Sequence, residues 1–355
     1  MGLMTTCIRL RLLSGVLLAL LLALFSANPL LAASEPNLYS AQVTVPEADL
    51  AGVFQAALAA VVVRVSGSRA AASPAVLASF GDPAVLVRQY RATEPGTWQV
   101  GFDPVALRAR LDAAGIAVWG NERPATLVWL AVDQGRGQRE ILAAAADGGV
   151  AQFSVATDTL AGSREILQQV AAERGLPVLL PLMDSADLQA ISFPDLWGDF
   201  SERVLDASAR YRADAVLIGR ARTPDPAAAQ VRWTLLFGGE RFNWSGPLSN
   251  GPERAADLLA ERLATPAGSL QALSVAVQNV DSLDAYGRIY RYMSQLGPVE
   301  SFEVTAVKGE RVLFKLQLRG DADQLLRIIS LRRLLQPVDG IATDADLQFA
   351  LNAVP

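Results

Sequence analysis

Apolar and polar positions first alternate along residues 38–45. Leu38, Ser40, Gln42 and Thr44 fall on one side and Tyr39, Ala41, Val43 and Val45 on the other, which predicts a half-buried strand ended by Pro46. The period then lengthens. Leu50, Phe54, Ala57, Leu58, Val61 and Val65 recur at helical spacing, and Gly67 is the stop. A short helical insert is expected over Ser73–Phe80, strands over Val85–Tyr90 and Trp98–Phe102 about a Glu94-Pro95-Gly96 turn, and a helix opened by Asp103-Pro104. A last short strand, Ile116–Trp119, would complete a β-α-β-β-α-β order, the ferredoxin-like pattern.

The middle of the chain carries continuous apolar runs instead of alternating ones. Leu127–Asp133, Pro177–Pro181 and Ala215–Arg220 read as strands buried on both faces. Helices are predicted over Ser163–Arg174 and Asp195–Tyr211. Val231–Phe237 and Arg241–Trp244 read as a hairpin about Gly238-Gly239, so a mixed sheet with helices packed on it is expected. After residue 268 the first pattern returns. Leu273–Val280 is a strand, and Ser282 caps a helix with Leu283, Tyr286, Tyr290, Met293 and Leu296 on one face. Phe302–Ala306 and Val312–Leu318 alternate as strands, Asp321 caps a helix to about Arg333, and Leu347–Leu351 is a final strand.

The fold class expected is therefore α/β and α+β: two ferredoxin-like (βαββαβ) units flanking a central α/β domain with a mixed sheet. Boundaries are placed at 38–120, 121–265 and 268–355, with loop-like Gly120–Glu122 and Thr265–Gly268 between them. Residues 1–33 read as a secretory signal peptide. Arg9 and Arg11 give the positive segment, Leu12–Phe25 the apolar one, and Ala32–Ser34 the small residues for cleavage. That apolar run is short of the ~20 residues that span a bilayer. No later stretch reads as a transmembrane helix. Cys7 precedes the apolar run, where a lipoprotein cysteine would follow it. The expected location is the periplasm, in a form that is not a lipoprotein.

Composition narrows the chemistry. The 355 residues include no histidine and one cysteine, Cys7, so a cleaved chain would have neither. Ser-His-Asp and Cys-His nucleophile systems fall away, as do zinc and copper sites of the usual nitrogen and sulfur type. Neither a phosphate loop of the GxxxxGK[ST] kind nor a dinucleotide fingerprint is present. The formal net charge of −5 gives no electrostatic footprint for nucleic acid.

Three groups of candidate residues survive. Asp184 and Asp187 follow the Pro177–Pro181 run, with Asp195 and Asp199 close behind. Carboxylates beyond the carboxyl end of a strand could act as acid and base or hold a cation. The plainer expectation is that such residues cap helices. Arg210, Tyr211, Arg212, Arg220 and Arg222 could bind carboxylates or phosphates, or simply pair with those aspartates. Of six tryptophans, Trp197, between Pro194 and Gly198, is the one expected at a surface, where it could stack on a ligand.

A spaced set of motifs resembles a known family. It comprises residues 38–45, Arg64–Gly67, Gly115–Gly120, Arg123-Pro124, Val128–Leu130, Leu179–Asp184, Trp197-Gly198, Ala207–Tyr211 and Gly219-Arg220. Together these resemble the proteobacterial domain of unknown function 2066, over about Leu38 to Leu318. The resemblance implies an exported protein of Gram-negative bacteria and supplies no mechanism. The middle part alone is similar, at the level of fold order, to the α/β domain of periplasmic proteins such as the N-terminal domain of TolB.

These expectations favour a non-catalytic binding or scaffold protein of the cell envelope with an envelope protein as partner, no cofactor and no resident metal. Two alternatives stay open: a hydrolase or ligand-binding enzyme using the aspartates at 184–199, and an anion-binding module using Arg210 and Arg220.

Overall fold

A computed structural model describes residues 38–46, 49–145, 159–223, 230–268, 270–332, 334–338 and 344–352. The predicted signal peptide lies outside the described residues.

The first strand, β1 (Ser40–Thr44), leads to helix α1 (Leu50–Ser66). The Asp49 side chain accepts the Gly52 N–H at 2.9 Å to start α1, and Gly67, at φ 69°, ends it. Val53, Ala57, Leu58, Val61 and Val65 are wholly buried on one face, whereas Leu50 is exposed. The short α2 (Pro74–Ser79), β2 (Val87–Glu94), β3 (Thr97–Phe102) and α3 (Pro104–Ala113) follow. Asp103 caps α3 by accepting the Ala106 N–H at 2.8 Å. The antiparallel sheet runs β1-β3-β2.

The fourth strand predicted at Ile116–Trp119 does not join that sheet. Val118 instead forms a single antiparallel bridge with Thr265. The cause is Trp119, which is wholly buried in the core of the neighbouring layers and pulls its segment toward them.

The largest sheet lies between residues 126 and 246. Strand β4 (Thr126–Gly135) pairs with β5 (Gln138–Ile141) and runs parallel to β7 (Ala215–Arg222). Antiparallel β8 (Val231–Phe237) and β9 (Glu240–Gly246) complete the order β5-β4-β7-β8-β9, as the hairpin signal predicts. β4 is buried on both faces. Leu127, Trp129 and Ala131 pack to one side, and Val128, Leu130 and Val132 to the other.

On the first side lie α5 (Ser185–Ala190), α6 (Phe193–Trp197) and α7 (Ser201–Ser208). On the second lie α4 (Ala161–Arg174) and α8 (Asn250–Leu263). The expected buried strand at 177–181 shrinks to β6 (Val178–Leu179), an edge pairing against β4 with Leu179 exposed. Pro177 and Pro181 remove the flanking donors that a longer strand would need. The single helix expected over 195–211 is broken between α6 and α7, where Asp199 takes φ 67°. Helix α8 has no counterpart among the predicted elements, and Pro252 sits in its first turn.

The last sheet is built from β10 (Leu270–Gln278), β11 (Val299–Lys308), β12 (Arg311–Arg319), β13 (Leu335–Pro337) and β14 (Leu347–Leu351), ordered β11-β12-β10-β14-β13. Helices α9 (Leu283–Gln295) and α10 (Ala322–Arg332) connect its strands. The predicted elements are all present, together with one that was not expected. β13 runs antiparallel to β14, so β14 lies parallel to β10. The overall class is mixed α+β. One apolar core joins the second and third sheets, while the first keeps its own.

Candidate functional site

The aspartates after β6 form a closed network. Asp184 caps α5, accepting the N–H groups of Ala186 at 3.1 Å and Asp187 at 3.0 Å. Arg210 grips the same carboxylate with both terminal nitrogens, at 2.7 and 2.8 Å. Asp187 is 0% exposed. Its Oδ1 accepts from Arg210 at 2.9 Å, and its Oδ2 accepts from the Met183 N–H at 2.8 Å and from the Tyr211 hydroxyl. The Tyr211 oxygen in turn accepts the Leu182 N–H at 2.8 Å.

Arg210 and the backbone donors hold Asp184 below the usual carboxylate range. Burial, then the hydrogen bond to Asp187, pushes Tyr211 up to about 12. Asp184, Asp187, Arg210 and Tyr211 therefore meet, but each carboxylate oxygen already has a protein partner. A general acid or base must reach a substrate proton, and neither oxygen of Asp187 is turned outward.

Trp197 and Arg220 belong to a second cluster. Arg220 is 6% exposed at the end of β7. It donates to the Leu196 carbonyl at 2.6 Å and to Thr234 Oγ1 at 3.2 Å, and pairs with Asp199. The other Asp199 oxygen pairs with Arg241. Arg232 stands opposite Arg220 in the strand register. Trp197 ends α6, not a loop, and is half-buried. It stacks on Phe193 at 5.3 Å, with Arg222 at 5.4 Å and Arg232 at 5.8 Å from its ring. Asp195 is a structural residue here: it closes a capping box with Ser192 and pairs with Arg203 at 2.8 Å.

A third cluster escaped the candidate residues. Arg123 donates to five carbonyls: Gly120 at 3.0 Å, Arg174 at 3.0 Å, Gly175 at 2.9 Å, Arg64 at 2.6 Å and Trp119 at 2.8 Å. Its guanidinium also lies 4.3 Å from the Trp119 ring centroid. Burial, with Arg64 nearby, lowers its pKa to about 9. It is still a cation at neutral pH, and the carbonyl cage holds the charge.

Beside it Arg174, 1% exposed, pairs with Glu253 and Asp257 and donates to the Gly67 carbonyl at 2.6 Å. Burial opposes ionisation of Glu253, yet the guanidinium groups of Arg69 and Arg174 outweigh it and hold the carboxyl below its ordinary value. A cleft of about 870 Å³ opens here between the end of α1 and α8. Arg64, Gly67, Trp119, Gly120 and Arg123 all stand among the family-like motifs, which marked the residues without their role. Arg174 gave no signal, since an arginine before a helix-ending glycine ordinarily faces water.

Among the described residues no group of three or more acidic, histidine or cysteine side chains is placed to hold a metal ion. No described helix is long and apolar enough to cross a membrane. These features define a mixed α+β protein whose best acidic candidates serve as caps and ion pairs. The family whose model matches is described as Domain of unknown function (DUF8605), over residues 32–120. This corrects the resemblance to domain of unknown function 2066, because the match is to a different family and covers only the N-terminal part. No curated protein and no solved structure matches the chain.

Proposed function

We propose that the chain is exported by its leader to the periplasm of a Gram-negative envelope and works there as a non-catalytic binding or scaffold protein. The observation that carries this reading is that Asp184 and Asp187 are engaged as cap and ion-pair partners of Arg210 and Tyr211, with Asp187 wholly buried away from any substrate proton. The leader pattern supports the location. The partner surface fits an extended segment of an envelope protein. β11 is the outermost strand of its sheet, its outer backbone groups can accept another strand, and Val304 and Val307 are exposed beside them.

The test is in-cell crosslinking of a C-terminally tagged chain, followed by affinity purification and mass spectrometry, with the mature N-terminus read from the same sample. A reproducible envelope partner with a start near Ala33 to Glu35 is the expected result. A cleaved chain without a partner removes the scaffold role, and an uncleaved leader removes the soluble periplasmic location.

A further inference from the structure

The open face of the second sheet carries more positive charge than its own acids neutralise. At the break between α6 and α7, Asp199 and Ser201 meet the side chains of the outer strands, Ser201 accepting from Arg241 at 2.9 Å. There Arg220 of β7, Arg232 of β8 and Arg241 of β9 surround a hollow of about 520 Å³ with one carboxylate, that of Asp199. Asp199 already bridges Arg220 and Arg241. Among the described residues no carboxylate pairs with Arg232, which lies over the face of Trp197. Three guanidinium groups against one carboxylate leave two positive charges on a partly enclosed wall.

The burial of Arg220 makes this arrangement costly for the free protein. Desolvation lowers its pKa, Asp199 partly offsets this, and Arg232 and Arg241 lower it further. An arriving anion would relieve that repulsion. Neutral donors stand ready beside the charges. Asn243 turns its Oδ1 toward Thr234 at 3.0 Å and Arg241 at 3.4 Å, which leaves its amide N–H groups for another acceptor. Ser245 lies across from Arg232 and lines the same hollow.

We infer that this hollow is a binding site for a phosphoryl group, free or as a monoester. Two net positive charges match a doubly charged oxyanion, and the planar forks of arginine match its oxygens. The volume exceeds that of a bare phosphate and admits a substituent of sugar size. Asp199 holds two of the guanidinium groups in place before the ligand arrives, so Arg232 is the group that engages it alone. The site stands apart from the Arg210 cluster and needs no protein partner.

The test uses the mature chain at pH 7.5 and reads tryptophan fluorescence and isothermal titration calorimetry, since Arg232 lies over the Trp197 ring at 5.8 Å. The probes are inorganic phosphate, glucose 1-phosphate and glucose, with sodium chloride at matched ionic strength as control. The expected result is saturable binding of phosphate or its ester and none of glucose. Tighter binding of the ester identifies the esterified source, and equal binding identifies the free anion. Arg232→Gln should weaken the affinity about tenfold or more through loss of its charged hydrogen bonds. Arg91→Gln, which removes the same charge from β2, should leave it unchanged. Absence of saturable binding, an equal response to chloride, or equal affinity in Arg232→Gln would overturn the assignment.

Discussion

Replacing Arg123 by methionine should be among the most damaging single changes in the chain. Methionine fills much of the same volume but donates nothing, and five carbonyls face the site: those of Arg64, Trp119, Gly120, Arg174 and Gly175. Swapping a buried ion pair for apolar groups is often harmless when both partners are replaced. Here the partners are backbone carbonyls, which no substitution can remove. An acceptor stranded away from water costs about 1–3 kcal/mol. Some of the five carbonyls recover water at the cleft, and the desolvation of one cation is relieved. We therefore expect a net loss of about 3–5 kcal/mol.

At roughly 2–4 °C per kcal/mol, Tm should fall by about 10 °C. Lysine should not rescue it, because a single ammonium cannot span five acceptors and the same burial disfavours its charge more readily. Urea unfolding followed by tryptophan fluorescence measures both variants. A loss below about 1 kcal/mol for Arg123→Met, or wild-type stability for Arg123→Lys, would refute the clamp.

Other outcomes follow from the same contacts. Asp184→Asn should cost at most about 1 kcal/mol, since asparagine caps as well as aspartate and the lost ion pair is exposed, whereas Asp187→Asn should cost about 2–4 kcal/mol by setting an amide donor against the donor of either Met183 or Arg210. Thermal unfolding of the two variants tests that asymmetry. Gly67→Ala places a Cβ 2.5 Å from the Ala260 Cβ and 2.6 Å from the Trp119 ring at φ 69°, so a loss of at least about 2 kcal/mol is expected in denaturant titration. Tyr211 has a folded pKa near 12, above its ordinary 10.0, so the folded chain keeps a proton that the unfolded chain loses. Its contribution is complete below pH 10 and fades as pH rises from 10 toward 12. A 295 nm titration should show Tyr39, raised by burial, and Tyr211 ionising late, and Tyr211→Phe should remove one of those two late steps.

The hydrophobic pattern carried most of the element order because burial is a local, periodic signal. Asp103, Ser282 and Asp321 sit where their helices start, and β4 is buried on both faces as its unbroken apolar run implied. What escaped notice depended on partners far away in sequence. The segment at 116–119 looks like any short strand, and only the pocket for Trp119 between Gly67 and α8 decides that it leaves its sheet. The helix at 250–263 was not predicted, and at Gly251 the lack of a side chain serves the close approach of Trp233. At the candidate sites, the aspartates and arginines were visible as residue types. Their pairing, Asp187 with Arg210 and Asp199 with Arg220, follows from the α6–α7 break, which only the backbone at Asp199 reveals.

The family match ends at residue 120, but the packing does not. Trp119 lies inside the matched segment and is wholly buried among residues of the second and third sheets' core. Its indole nitrogen has no partner among the described residues, so apolar packing and the Arg123 guanidinium over its face hold the ring. An aromatic ring of this kind buries about 150–250 Å², worth roughly 4–6 kcal/mol at about 25 cal/mol per Å². The excised segment 38–120 would keep its own core around Val53, Leu58, Val100 and Leu107 but expose that ring. It would also lose the arginine donors to Arg64 and Gly67. Trp119→Ala should therefore cost about 3–5 kcal/mol in the whole chain and close to nothing in the excised segment. Chemical denaturation of the four proteins measures both differences. Equal costs in the two contexts would mean that Trp119 belongs to the first domain's own core and that the junction contributes nothing to holding the sheets together.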